Sequence, residues 1–355
     1  MKVQVEADSR GPGGQGPVRP AENQGGRFWG VWSEGKLDVL RRYLEAFGSA
    51  AQRAPHRVYL DLFAGQLDNY SRSTSDAIEG SAEIALTVPN PPFTHYVFFE
   101  RPRRAKVMQR ALSKRFPDRN IRVYSGDCNA TVFQALSDLA SLRRSPSFAL
   151  IDPDAVDVRW ATLQALAAHK AAGSTKVEMW LLFPHAMFTR MLPRDRDRMT
   201  IAAVTKMDGL FGSDEWRPIY EARVADRLSP PEAREEYVNL MRWLLEKRLR
   251  YRFTLTLAVS TAVERPLYDM IFATDSDAGK RIMSHLHGRA QWVFPLMRQE
   301  ARWLQHQREV EATGQGFLFS PEDPGAVAWA ANQGKGVKFE YDPPWLPIGQ
   351  TEAEA

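Results

Sequence analysis

The chain has 355 residues, 44% of them hydrophobic, which is enough for a sizeable core in one large domain or two. Its 47 Lys and Arg against 43 Asp and Glu give a net charge of +4, which permits a nucleic-acid partner without requiring one. One cysteine excludes an internal disulfide and a metal site built on cysteines. No apolar run is long enough to cross a bilayer, so we expect a cytoplasmic protein without a membrane partner.

The predicted elements begin after residues 1–26, which are rich in Gly, Pro and charge and predict a disordered tail without a secretory signal. A helix follows at 33–47, with Ser33 as its N-cap. Strands and helices then alternate, which predicts a parallel sheet with helical crossovers. We place strands at 58–63, 95–100, 121–125, 148–151 and 176–183, and helices at 82–87, 102–116, 129–142 and 160–170.

The alternation ends at residue 185, where a polar, Arg-rich stretch to 231 predicts an insertion. A helix at 231–249 precedes two strands, 252–259 and 267–274, whose short connection makes them antiparallel. Two helices, 277–287 and 291–312, come last.

The predicted fold is therefore α/β, a doubly wound, Rossmann-like sheet of seven strands, mostly parallel with one antiparallel strand, plus a helical insertion. We expect one domain over 27–290, with an N-terminal helical extension at 28–50 and the insertion at 185–231. A C-terminal helix and an irregular tail would fill 291–355.

Four of the predicted parallel strands carry an acidic residue near or just after their carboxyl ends: Asp61, Glu100, Asp127 and Asp152. The carboxyl ends of parallel strands meet at one edge of the sheet, where ligands of open α/β sheets bind. The four carboxylates would repel each other there unless a ligand supplied hydrogen-bond donors. Each could instead be a satisfied structural acid. Four together favour a nucleoside-type ligand, and Gly65 would let that ligand approach the backbone.

Seven segments carry a resemblance to a known family: WSEGKLDVLRRYL (32–44), VYLDLFAG (58–65), EGSAEIAL (79–86), FFE (98–100), GDCN (126–129), LIDPD (150–154) and LLFPHAMFTRML (181–192). Over residues 28–290 the chain resembles class I S-adenosylmethionine-dependent methyltransferases, and more narrowly the three-Cys-motif partner protein family. In that family the three cysteines belong to a partner protein, so the resemblance implies a cysteine-cluster partner.

The resemblance also implies roles for individual residues. Asp61, Ala64 and Gly65 would line the methionine part of S-adenosylmethionine, Glu100 the ribose, and Asp127 with Cys128 the adenine, while Asn129 would also contact the cofactor. The segment from Trp32 to Lys36 is similar to one in adenine-N6 methyltransferases, where the lysine would pair with the methionine carboxylate.

Asp152, Pro153 and Asp154 are similar to the Asp-Pro-Pro-Tyr motif that holds a target amino group, which implies methyl transfer to a nitrogen of a nucleic acid or another polar acceptor. Ala155 stands where that motif has its stacking aromatic. Trp160, Phe183 or His185 could supply such a surface instead. His185 is also the best general-base candidate, although a histidine satisfied within the protein is the more common case.

Two other functions stay open. The unusual DPDA sequence, and the lack of a second glycine after Gly65, would suit a non-catalytic partner subunit with this fold. Asp152 and Asp154 could instead hold Mg²⁺ in a nuclease, although two carboxylates make a poor metal site and we predict no bound metal. The basic cluster at 101–115 could be either the solvated face of a helix or a phosphate-binding face. For His285 and His287 we favour packing or surface roles.

Overall fold

The computed structural model describes residues 27–72, 76–261, 265–313 and 339–351. The predicted tail at 1–26 and most of the predicted irregular tail after 313 lie outside these residues. Within the described ranges, no helix is both long and apolar enough to cross a membrane.

The described chain forms ten strands and ten α-helices. The strands are β1 (Arg27–Trp29), β2 (Val58–Asp61), β3 (Asn69–Ser71), β4 (Ala77–Ile78), β5 (His95–Glu100), β6 (Ile121–Ser125), β7 (Ser147–Ile151), β8 (Glu178–Phe183), β9 (Phe253–Ser260) and β10 (Pro266–Thr274). The helices are α1 (Val31–Ala50), α2 (Ser81–Thr87), α3 (Pro102–Arg115), α4 (Cys128–Asp138), α5 (Trp160–Ala168), α6 (His185–Met191), α7 (Ile201–Phe211), α8 (Arg217–Val224), α9 (Pro230–Lys247) and α10 (Asp277–Thr313).

The central sheet has seven strands in the order β6-β5-β2-β7-β8-β10-β9. Neighbours from β6 to β8 pair in parallel, whereas β10 pairs antiparallel with both β8 and β9. This arrangement confirms the predicted seven-stranded, mostly parallel α/β sheet. Every residue of β7 and β8 is buried, which explains why their sequences do not alternate between apolar and polar.

Helices cover both faces of this sheet. Successive residues of β7 point in opposite directions, so Ala149 joins the core formed with α4, α5 and α9, whereas Leu150 joins the core formed with α1, α2 and α10. Because both faces are covered, the ends of the strands are where a ligand can reach the backbone.

Three predictions of elements are wrong in detail. Helix α1 begins at Val31, with Gly30 rather than Ser33 at the N-cap, and the backbone N–H of Ser33 already donates to the Gly30 carbonyl at 2.8 Å. Residues 66–80, for which no element was predicted, contain β3 and β4; β3 pairs with β1 and with β4 in a small second sheet. Strands of three and two residues are too short to show a periodic pattern.

The third error concerns the C-terminal helices, which form the single helix α10 with Pro295 inside it. The predicted domain boundary at 290/291 therefore falls within one helix. Proline usually ends a helix, so the sequence favoured a break. Packing holds the two halves together: the Phe294 ring lies so close to Gly35 of α1 that a Cβ there would be only 2.6 Å from it.

Residues 185–231, predicted as a helical insertion, contain α6, α7 and α8. Their buried side chains, such as Phe188, Phe211 and Ile219, belong to the core on one face of the sheet.

Candidate functional site

A cleft of about 1410 Å³ opens at the carboxyl ends of β2, β5, β7 and β8. Most of the residues that the sequence analysis selected for a cofactor or acceptor line it. They are Trp32, Lys36, Ala64, Gly65, Glu100, Asp127, Cys128, Asn129, Asp152, Pro153 and Asp154. Segments more than a hundred residues apart in sequence thus meet at one edge of the sheet.

Asp61 is the exception, because it lies beneath the cleft and is completely buried. The Ser81 hydroxyl donates to its Oδ2 at 2.6 Å, and the Phe63 backbone N–H donates to its Oδ1 at 3.3 Å. The pKa of the Asp61 carboxyl is raised from 3.8 to about 7, because the increase caused by burial and, secondarily, by the charge of Asp152 outweighs the decrease caused by its hydrogen bonds. Asp61 therefore supports the floor of the cleft and orients Ser81, which does line it.

Gly65 turns the chain away from the end of β2. Its φ of +71° lies in the left-handed region, and only the Phe63 carbonyl would come within 4 Å of an added Cβ, at 3.9 Å. The chain then forms one wall of the cleft. This wall is fixed by hydrogen bonds from Trp29 Nε1 to Asn69 Oδ1 at 2.7 Å and from Ser71 Oγ to Glu34 Oε1 at 2.7 Å.

Lys36 is buried in the cleft, where its Nζ donates to Asp152 Oδ2. The same ammonium lies 6.0 Å from the centroid of the Trp29 ring and 5.9 Å from that of Tyr268. Asp152 is only partly buried, so removing Lys36 would leave a carboxylate uncompensated but still partly hydrated by the cleft. Lys36 thus contacts the predicted catalytic carboxylate, a contact that the resemblance did not imply.

Glu100 ends β5 and is only 8% exposed. Its Oε1 accepts from the Arg101 backbone N–H at 2.8 Å, and Arg104 Nη1 lies 4.0 Å from the same oxygen. Nothing in the described part of the chain donates to Oε2. Glu100 can therefore accept hydrogen bonds from a diol without giving up its existing partner.

Asp127 is the N-cap of α4, where its Oδ1 accepts from the Asn129 backbone N–H at 2.9 Å. The Cys128 thiol next to it is buried, and that burial, with the Asp127 charge as a second cause, raises its pKa to about 12. Cys128 is therefore a neutral, weakly polar part of the cleft wall rather than a nucleophile.

The side chain of Asn129 is already used by the protein. Its Nδ2 donates to Asp127 Oδ1 and to the Asp157 carbonyl, at 2.9 and 2.8 Å. Its Oδ1 accepts from the Arg159 backbone N–H at 2.9 Å and from the Thr162 hydroxyl at 2.8 Å. Asn129 thus ties α4 to the start of α5 and shapes the cleft, whereas the resemblance gave it a contact with the cofactor.

The three residues suggested as a stacking surface lie outside the cleft, so that expectation is wrong. Phe183 is completely buried among other aromatic rings, and Trp160 packs against Gly212. His185 is buried as well, with its Nε2 2.8 Å from Asp269 Oδ2. Each of these side chains points into the core that covers the sheet, a direction that the sequence cannot specify.

The aromatic side chains that do line the cleft are Trp29, Trp32, Phe63, Phe99 and Tyr268. Sequence reasoning missed Trp29 and Tyr268 as site residues. Trp29 lies in a three-residue strand, and Tyr268 reaches the cleft from β10, more than a hundred residues beyond Asp152.

His287 is completely buried, and burial lowers the pKa of its imidazole to about 3. Its ring meets Phe339 edge-on, which fits a packing role. Among the described residues, no three His, Cys, Asp or Glu side chains are grouped to hold a metal ion.

No family model matches the chain, and no curated protein matches it. Comparison with solved structures finds a protein described as "a putative methyltransferase from Thermobifida fusca YX", which is 16% identical in sequence with a TM-score of 0.29. The aligned region covers 50% of this chain and 60% of that protein. At a TM-score this low, the similarity carries no weight for fold or function.

Proposed function

We propose that the chain is a class I S-adenosylmethionine-dependent methyltransferase with a Rossmann-like, doubly wound sheet, and a member of the three-Cys-motif partner protein family. The observation that carries the proposal is the cleft itself. It gathers, at the carboxyl edge of a mostly parallel sheet, all but one of the residues that the family resemblance assigns to the cofactor.

The residues present fit such a cofactor. Glu100 has an open carboxylate oxygen for a ribose diol, and the left-handed Gly65 leaves space beside the backbone. Cys128 and the start of α4 would border the adenine, and Lys36 offers an ammonium to the methionine carboxylate. When bound, S-adenosylmethionine supplies an electrophilic methyl group.

The protein's contribution to the reaction would be mainly positioning. Asp152 binds Lys36 through Oδ2, and no described residue donates to its Oδ1. That second oxygen can accept a hydrogen bond from an amino group of the acceptor and hold its nitrogen in place. We propose a nitrogen of a nucleic acid or of another polar molecule as the acceptor, and a cysteine-cluster protein as the working partner.

Isothermal titration with S-adenosylhomocysteine, the demethylated product, tests the proposal. We expect binding by the wild-type protein and at least tenfold weaker binding by Glu100→Gln, because an amide cannot replace a charged acceptor for a diol. Asp118→Asn is a matched control, since Asp118 is exposed in the turn before β6, away from the cleft. No heat on titration of the wild-type protein would refute the proposal.

A second candidate is a non-catalytic partner subunit that retains this fold. The observation that favours it is that Lys36 already engages Asp152, the carboxylate that would hold the acceptor. This function predicts co-purification with a cysteine-cluster protein and no methyl transfer. Methyl transfer by the isolated chain would exclude it. The pairing of Asp152 with Lys36 also argues against a nuclease that needs both Asp152 and Asp154 for Mg²⁺.

A further inference from the structure

Helix α3 presents a stripe of cations to solvent. Residues 101–115 contain seven Lys or Arg and no acidic residue. Arg103, Lys106, Arg110 and Lys114 are spaced by three, four and four residues, so they lie along one side of the helix. All four are exposed, and none forms an ion pair with a described residue. We call these four residues the α3 stripe.

The packing of α3 fixes the direction of the stripe. Ala105, Met108 and Leu112 are buried on the other side of the helix, so the stripe cannot turn inward. A helix of 14 residues is about 21 Å long at 1.5 Å per residue, and the stripe covers most of that length. Val107, 67% exposed, is the large apolar side chain between its cations.

The N-terminal end of α3 reaches the cleft, where Arg101 and Arg104 are part of the lining. Arg159 and Arg190 line the cleft as well, from α5 and α6, which pack on the opposite face of the sheet. Within the described ranges, the guanidinium groups of Arg101, Arg159 and Arg190 have no acidic partner. Cations therefore continue from the stripe into the cleft, where they share the lining with carboxylates such as Glu100 and Asp127.

We propose that the α3 stripe binds the phosphate backbone of a nucleic acid and that Arg101, Arg159 and Arg190 hold the strand as it enters the cleft. This inference rests on the proposed function in one respect, since it identifies the methyl acceptor. Regularly spaced cations suit a polymer with one negative charge per nucleotide. An acidic protein is a poorer match, because stable protein interfaces depend on buried apolar or aromatic anchors, and the stripe offers only Val107.

Fluorescence anisotropy tests the proposal. The labelled probes are oligothymidylate, oligouridylate and a DNA duplex of the same length, each titrated with protein at several salt concentrations. The variant replaces all four stripe residues: Arg103→Gln, Lys106→Gln, Arg110→Gln and Lys114→Gln. On a single strand each phosphate contact contributes about 0.7 to the slope of log K against log salt. We expect the slope to fall by about 3 and the affinity at low salt to fall more than tenfold.

A matched control removes four exposed cations elsewhere that also have no acidic partner among the described residues: Arg53→Gln, Arg144→Gln, Arg227→Gln and Arg281→Gln. Its affinity and slope should stay near the wild-type values. Equal losses in both variants would mean that only net charge matters and would overturn the proposal. So would an unchanged stripe variant. Tight binding of labelled polyglutamate through the same residues would overturn it in favour of an acidic protein partner.

Two further measurements keep the outcomes separate. Lys106→Glu, a single change in the middle of the stripe, should still weaken binding if the fourfold variant does not fold. Titration with S-adenosylhomocysteine should be unaffected in the stripe variant. If the wild-type protein binds nucleic acid through the stripe but does not bind S-adenosylhomocysteine, the proposed methyltransferase function fails and the stripe proposal stands.

Discussion

The carboxyl group of Asp61 should make the protein less stable as pH rises toward neutrality. It is completely buried, and its pKa is about 7, compared with 3.8 for an ordinary aspartate. The folded state therefore holds the Asp61 proton more tightly than the unfolded state does. Between the two pKa values the folded protein binds more protons, so stability falls with rising pH. Asp61→Asn, which cannot ionise, should remove this dependence.

The size of the effect follows from the two pKa values. They differ by about three, and each pKa unit corresponds to about 1.4 kcal/mol, so the total is about 4 kcal/mol. The contribution is fully present below the ordinary pKa and is lost as pH rises through about 7. Between pH 5 and pH 8 the wild-type protein should lose about 3 kcal/mol relative to Asp61→Asn.

Urea denaturation of both proteins at pH 5, 6, 7 and 8 measures this difference, and only the change with pH counts. The absolute stability of Asp61→Asn also reflects its altered hydrogen bonds with Ser81 and Phe63. Asp118→Asn, at an exposed position, should follow the wild-type curve. Parallel curves for wild type and Asp61→Asn would refute the reasoning, because Asp61 would then be ionised in the folded protein at acidic pH.

Three more predictions follow from the cleft. Lys36→Met should cost more than about 1 kcal/mol in urea denaturation, because it leaves the partly buried Asp152 carboxylate uncompensated, whereas Lys206→Met, which breaks an exposed pair, should cost less than about 1 kcal/mol. Similar losses would contradict the burial of the Lys36 pair. Gly65→Ala and Gly173→Ala should each cost about 1–2 kcal/mol because both glycines have positive φ, but only Gly65→Ala should weaken S-adenosylhomocysteine binding in calorimetry. Cys128 should resist iodoacetamide at pH 8 until urea unfolds the protein, as read by mass spectrometry; rapid labelling of the native protein would show an accessible thiolate.

The sheet could be predicted because its signals are local. Apolar runs such as 148–151, followed by a helical period, identify strand and crossover within about thirty residues. The carboxylates at strand ends follow from the same pattern, since parallel strands end at one edge. Asp61 illustrates the limit of this reasoning. Its place at the end of β2 could be predicted, but its burial beneath Ser81 could not, because Ser81 comes from the next helix.

The parts that could not be predicted depend on contacts between distant segments. The pairing of Lys36 with Asp152 joins residues 116 apart, and Tyr268 enters the same cleft from β10. The continuity of α10 through Pro295 has the same origin, because the helix is held by packing against α1. The low helix propensity of proline alone would have ended α10 at Pro295. Local pattern thus predicts which element a residue belongs to, and tertiary packing decides what that residue contacts.

The charges of the cleft divide between its floor and its rim. On the floor, Asp152 is balanced by Lys36, and the pKa of Asp61 leaves that carboxyl half protonated near pH 7. The floor therefore carries little net charge and suits a zwitterionic small molecule. At the rim, the α3 stripe forms no ion pair with a described residue, whereas Arg101 shares the cleft lining with the carboxylates of Glu100 and Asp127. Loss of the stripe should therefore change binding of a polyanion while leaving binding of a small ligand unchanged, and loss of Lys36 should do the reverse.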